Sequence, residues 1–397
     1  MDEEVEKITS KDVIEKGEGG EVENLSLRKR MIIVRHSSTN RDPTPEHNIV
    51  EDIQKPGDVR SPPETKDGDE GGQLLELSRL VWEECKKSSW WEKHGADWAI
   101  IGLAMCTVPA GFVCLGSSSL FLFMLGIIIL GLGNSVITVK GSHLASHRSL
   151  CQSTELGRIW ATFFIEVCSW LPVPCGEKGH VKQHHGHTNV IGLGDSSVWK
   201  APYLSCAVYM FLAPLALPVL TLLVGLRYMM QMPLSKALCS LFFISLGLLG
   251  HCWLLARISG LGVGSAIGCM FLSRSMMAIP FIHVNIFQHI GLPMFSPTQR
   301  PRRLELITHS VLNLPRNLIL DWTFGHTLIS CHVEHHLFPM LSDHMCLKVK
   351  PMVSSFLRTH NLPYQEDTYM SRLQLFLSNY NELMVQAPPI TQLVDLR

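Results

Sequence analysis

Charge is missing from long parts of this chain. Residues 98–139, 201–226 and 237–256 contain no Asp, Glu, Lys or Arg. A helix of roughly 20 apolar residues crosses a bilayer core of about 30 Å, so these runs read as membrane spans rather than as a soluble core. The twelve cysteines include no C-x-x-C pair. That excludes a zinc ribbon, an iron–sulfur site and a disulfide framework, and leaves the thiols as small packing residues. No apolar stretch follows Met1-Asp2-Glu3-Glu4, so no secretory leader is expected and the first span would direct insertion itself. With a net charge of −1 and no basic stripe interleaved with aromatics, nucleic acid is not an expected partner. No Gly-x-Gly-x-x-Gly sits in a strand–helix setting, so a fused nucleotide-dependent reductase is not expected either.

What is present falls into distinct segments. Residues 1–72 are polar and rich in charge, proline and glycine, as in Asp42-Pro43-Thr44-Pro45-Glu46. Such a segment cannot bury enough apolar surface to offset its ordering entropy, and a disordered tail is expected. Its basic run, Arg28-Lys29-Arg30, reads as a solvated patch before a lipid contact. Over 73–94, Leu74, Leu77, Leu80 and Val81 recur at helical spacing and Trp90-Trp91 follows; an interfacial helix leading into the membrane fits. The membrane domain is expected over 95–360 and a cytosolic segment over 361–397.

Within that domain, 98–115 and 120–139 are joined by Gly116-Ser117-Ser118-Ser119, short enough for a helical hairpin. Lys86, Lys87 and Lys93 before it, and Lys140, Arg148 and Arg158 after it, put both flanks in the cytosol. Residues 155–170 form an amphipathic surface helix ended by Pro172 and Pro174. A second hairpin over 203–226 and 237–255 returns to the cytosol at Arg257. Residues 261–282, interrupted by Arg274 and several glycines and serines, are expected to be only partly embedded, because a full crossing from that side would strand His289. The expected fold is an all-α membrane protein: four transmembrane helices in two hairpins, under a cytosolic helical cap that holds a His-rich di-metal site.

Nine of the nineteen histidines lie in three clusters: His143-x-x-x-His147, His180-x-x-x-His184-His185-Gly-His187, and His332-Val-Glu-His335-His336. Spacing of i, i+4 stacks two imidazoles on one helix face. Adjacent pairs point about 100° apart and can reach around a shared centre. One histidine at a helix end is ordinarily a solvated or packed residue; three clusters on one side of a membrane point to metal. A single zinc takes only three or four protein ligands, and the H-E-x-x-H of zinc proteases is absent. Eight or more imidazoles suit a pair of transition metals, with iron, copper and zinc all compatible.

The three clusters, with Leu337-Phe338-Pro339 after the last and Thr188-Asn189 and Gly194-Asp195 after the second, resemble the histidine boxes of the membrane fatty acid desaturases over about residues 95–360. The resemblance implies two irons held by His143, His147, His180, His184, His185, His332, His335, His336 and a ninth ligand, His289, in Asn285-Ile-Phe-Gln-His289. Asn285 would hold a metal-bound water, and His187 and His326 are candidate second partners that fix ligand tautomers. Glu334 reads as a spacer and His251 as a packed polar residue. The implied reaction uses O2 to take hydrogens from adjacent methylenes of a fatty acyl-CoA or acyl-lipid in the endoplasmic reticulum membrane, leaving a double bond and water. Electrons would come from a separate cytochrome b5 and its NAD(P)H-dependent reductase, since the chain lacks the His-Pro-Gly-Gly haem motif that some relatives carry. A hydroxylase of the same architecture and a non-catalytic zinc-binding membrane receptor or scaffold are the alternatives.

Overall fold

The computed structural model describes residues 69–193 and 204–386; nearly all of the N-terminal tail and the Gly194-Asp195 pair lie outside them. The described residues are almost wholly helical. Helix α1 (Asp69–Lys87) leads through a short π-helical turn into α2 (Ala96–Leu115), which turns back into α3 (Leu120–Ser135). The pair packs closely because small residues face each other: a Cβ added to Gly126 would lie 2.9 Å from the Leu115 amide nitrogen, so glycine lets the two backbones meet.

Helix α3 does not stop at residue 139. It runs through a π-helical stretch, Val136–Gly141, into α4 (Ser142–Ser146), a continuous apolar rod over Leu120–Ser146. The first histidines therefore sit at the end of a rigid element. Lys140, expected among the cytosolic flanking charges, is instead buried between Asp97 and Asp343. Burial removes it from the charge that the positive-inside rule counts.

Over 155–170, expected to be a surface helix, the structure has α5 (Thr154–Ala161), continued by a π-helix over Thr162–Cys168 whose buried Glu166 accepts from Ser240 of the membrane-length run 234–259 at 2.7 Å, so that end is covered by another helix. Ser153 caps its start by accepting from the Leu156 amide. Trp170 takes a left-handed conformation (φ 63°), and the next helical segment leaves at 95°.

The later spans differ from expectation. Helix α6 (Leu217–Met229) follows a broken start at 208–216; α7 (Leu234–Ser259) ends on Gly260 with φ 65°. Ser259 donates to the Phe112 carbonyl at 2.7 Å and packs on Gly116. Arg257 therefore lies by the 116–119 turn, at the opposite end of the first hairpin from His143, not back on the histidine side. Helices α8 (Val263–Ser275) and α9 (Ala278–Phe287) then form one 25-residue apolar run, Val263–Phe287. Starting from the far end, this full-length run delivers His289 to the other histidines, so the expected partial embedding is unnecessary. Among the described residues, five helical runs are long and apolar enough to cross a membrane, or six if the bent pair Thr154–Cys168 and Val173–His184 is one span, against the four expected.

Above the histidine end, α10 (His332–Leu337) and α11 (Asp343–Thr359) form the cap. The apolar side of α1, read as a membrane-interface stripe, packs Leu77, Val81 and Cys85 on Val349, Val353 and Leu357.

Candidate metal centre

The nine imidazoles converge. His143, His147, His180, His185 and His335 form one group; His184, His289, His332 and His336 form the other. Within each group, the candidate ligand atoms all lie within 4.8 Å of one another. The groups touch, with the His185 and His336 rings stacked at 4.2 Å. Adjacent histidines do not share a centre as the spacing suggested: His184 and His185 separate, and so do His335 and His336. The 100° step that was expected to close one site instead feeds two.

The second cluster departs further. His180 groups with His185 rather than with His184, because Glu177–His184 is π-helical. Its wider turn joins residues five apart, and the His185 amide donates to the His180 carbonyl at 3.1 Å.

One contact decides what occupies these groups. The Nε2 atoms of His289 and His332 are 2.9 Å apart. His289 Nδ1 lies 3.1 Å from the Ser310 carbonyl, and His332 Nδ1 lies 2.8 Å from the Thr327 carbonyl. Carbonyl oxygens only accept, so both Nδ1 atoms carry the hydrogen and both Nε2 atoms present lone pairs to each other. Protonating either ring would relieve this, but burial opposes it: His332 is pushed down to about 4 and His289 well below its ordinary value. A shared cation resolves the conflict. The other group agrees, since His143 Nε2, His147 Nε2, His180 Nε2 and both ring nitrogens of His185 and His335 are buried without partners. The donor set, imidazole throughout, fits transition metals.

Other predicted residues stand outside both groups. Asn285 donates to the Phe281 carbonyl at 2.7 Å, one helical turn before His289. His187 Nδ1 meets Arg300 at 3.1 Å. His326 Nδ1 lies 3.3 Å from both Ser330 and Asp321. Glu334 is fully buried and faces away, taking hydrogen bonds from the Tyr364 hydroxyl at 2.7 Å and Asn313 Nδ2 at 3.0 Å. Burial outweighs those donors and pushes its carboxyl up to about 6. His251 packs among Phe112 and Trp170. Supports that sequence reasoning passed over include Thr327, Asp343 and Asn313. The Asn313 side-chain oxygen accepts from the Val333 amide at 2.9 Å and pins the third cluster. Their polarity alone gave no signal that they would meet the histidines.

A family model described as fatty acid desaturase matches residues 118–368 of this chain. The chain belongs to the fatty acid desaturase family. It is 55% identical to human fatty acid desaturase 6 over 329 residues, 82% of this chain and 92% of that protein. To the mouse protein of that name it is 54% identical over 340 residues, 85% of this chain and 99% of the other. A more distant relative, an acyl-lipid (8-3)-desaturase of Thraustochytrium, is 25% identical over 171 residues, 41% of this chain and 38% of its own. The desaturase is thus an oxidoreductase with several membrane-length helices and a histidine-rich centre able to bind metal.

Acid should destabilise the metal-free desaturase. Its buried histidines bind protons less readily folded than unfolded, so stability falls as pH drops below the unfolded value of about 6.5 and continues to fall toward the folded value of His332, about 4. Thermal unfolding of chelator-treated protein at about pH 7.5 and about pH 5.5 checks this; equal melting temperatures would contradict the buried, neutral state of the rings.

Proposed function

We propose that the two histidine groups hold two irons and that the protein uses O2 to introduce a double bond into a fatty acyl chain, carried as acyl-CoA or acyl-lipid. The observation that carries this is the facing pair of Nε2 lone pairs on His289 and His332, beside a second group of five imidazoles. When bound, such a metal pair would supply the dioxygen-dependent oxidation of an unactivated C–H bond.

The chain's own residues prepare for that chemistry. The nine histidines would be the ligands, five on one ion and four on the other, with Asn285 reaching its ion through a water and His187 and His326 left as outer partners. The carbonyls of Ser310 and Thr327 fix the tautomers of His289 and His332. Burial of the rings, with His180 half-buried, keeps bulk water from them, and the adjoining apolar helices offer the environment an acyl chain requires.

Four crossings, 91–115, 120–146, 234–259 and 263–287, fit this reading. The 208–229 run starts with Tyr209 and Met210 packed under the cap on Phe287 and Phe376. Exposed Lys86, Lys87, Arg148 and Arg158 near the histidine end support a cytosolic cap; the proposed setting is the endoplasmic reticulum membrane, with both termini in the cytosol. Electrons would then arrive from a cytosolic-facing cytochrome b5 and its reductase.

Expression in a desaturase-deficient yeast, followed by fatty-acid profiling, tests the activity. Products two hydrogens lighter than their precursors are expected. Products heavier by one oxygen would make the protein a hydroxylase, and unchanged lipids with zinc bound would leave a scaffold.

A further inference from the structure

The Thr327 side chain lies between the five-histidine group and a buried carboxylate. Its Oγ1 is 2.9 Å from Asp343 Oδ1 and 3.3 Å from His143 Nδ1. A carboxylate only accepts, so the hydroxyl hydrogen goes to Asp343. The oxygen is then left to accept from His143, which must carry its hydrogen on Nδ1 and present the Nε2 lone pair to the five-histidine group. Asp343 is itself fixed: the Thr327 amide donates to Oδ1 at 2.7 Å, and Lys140 Nζ meets Oδ2 at 2.7 Å. Lys140 in turn reaches Asp97 at 3.2 Å.

The same residue serves the other group through a different atom. Its backbone carbonyl accepts from His332 Nδ1 at 2.8 Å. Side chain and main chain of one threonine thus hold one ligand of each group. Thr188 offers an independent comparison. Its hydroxyl donates to the His184 carbonyl at 2.6 Å, so Oγ1 accepts from His336 Nδ1 at 3.2 Å and orients a ligand of the four-histidine group only.

We infer that Thr327 is a positioning residue whose hydroxyl, fixed by the Asp343–Lys140–Asp97 ion network, sets the tautomer of His143 and thereby the metal affinity of the five-histidine group alone. This rests on the di-iron reading above. Thr327→Val keeps the branched shape, the amide that donates to Asp343 and the carbonyl that accepts from His332, and removes the hydroxyl that donates to Asp343 and accepts from His143. Losing such a partner weakens metal affinity by about 10–100-fold, here at one site of two.

The test loads full-length protein in lipid nanodiscs with ferrous iron, dialyses it against graded chelator, and measures iron per chain together with the Mössbauer spectrum. Wild-type protein should retain two irons at a chelator level where Thr327→Val retains one, with one spectral component lost and the other unchanged. Thr327→Ser, which restores the hydroxyl, should retain both. Thr188→Val should lose the opposite component, and the double variant should lose both. If Thr327→Val holds two irons as tightly as wild type, or releases both together, the inference is overturned. A wild-type protein that never binds two irons overturns the di-iron reading itself.

Discussion

Replacing His335 by alanine should abolish double-bond formation while leaving the protein's insertion in the membrane intact. The ring sits 4.4 Å from that of His143, 4.7 Å from His147 and 4.6 Å from His185, centroid to centroid, and both of its nitrogens are buried without partners. It takes no part in any membrane-length helix, so its loss removes a ligand and not a span. Substitution of residues that merely orient ligands costs about 10–100-fold; deleting a ligand should cost at least about 100-fold in turnover. Fatty-acid profiles of yeast carrying the variant at wild-type protein levels give the measurement. Measurable desaturation there would exclude His335 from the centre.

The second large effect is expected at Lys140, which is not itself in either histidine group. Lys140, Asp97 and Asp343 are 1%, 2% and 0% exposed, and they join α2, the end of the second apolar rod and the cap. Burial alone would raise the Asp343 carboxyl, but the Lys140 ammonium and the Thr327 amide override it and hold it well below the ordinary carboxylate range. Lys140→Met would leave two carboxylates facing each other without a cation. Breaking a buried pair this way costs about 3–5 kcal/mol, enough to lower the melting temperature sharply and deplete the protein from membranes. The exposed pair Arg79–Glu83 offers the contrast, since its removal should change stability by under about 1 kcal/mol. A Lys140→Met variant that melts like wild type would show that the cap is held by other contacts.

The histidines that converge were legible in the sequence because histidine clusters are rare and their i, i+4 spacing has a geometric meaning. Which ligand belongs to which group was not. That division depends on the π-helical turn through His180–His184, and no residue type marks a helix that winds wider than usual. The sidedness of α7 was misread for a different reason: Arg257 and the lysines near the first spans look alike as charges, and only the Ser259–Phe112 contact reveals that Arg257 lies at the other end. Lys140 failed in the same way. A lysine after an apolar run counts as a topology signal only if it stays in water, and its two carboxylate partners are 43 and 203 residues away. The amphipathic pattern of α1 was correctly read as helical, but a stripe of Leu and Val does not say whether lipid or another helix will cover it.

The division of neighbouring histidines has a consequence for biosynthesis. His184 and His185 are made together yet join different groups, and each group also needs a residue from the 332–336 turn. One set is complete only at residue 335 and the other only at 336, after every membrane-length helix among the described residues. Assembly of either group is therefore a late event in the life of the chain, and a product interrupted before that turn completes neither.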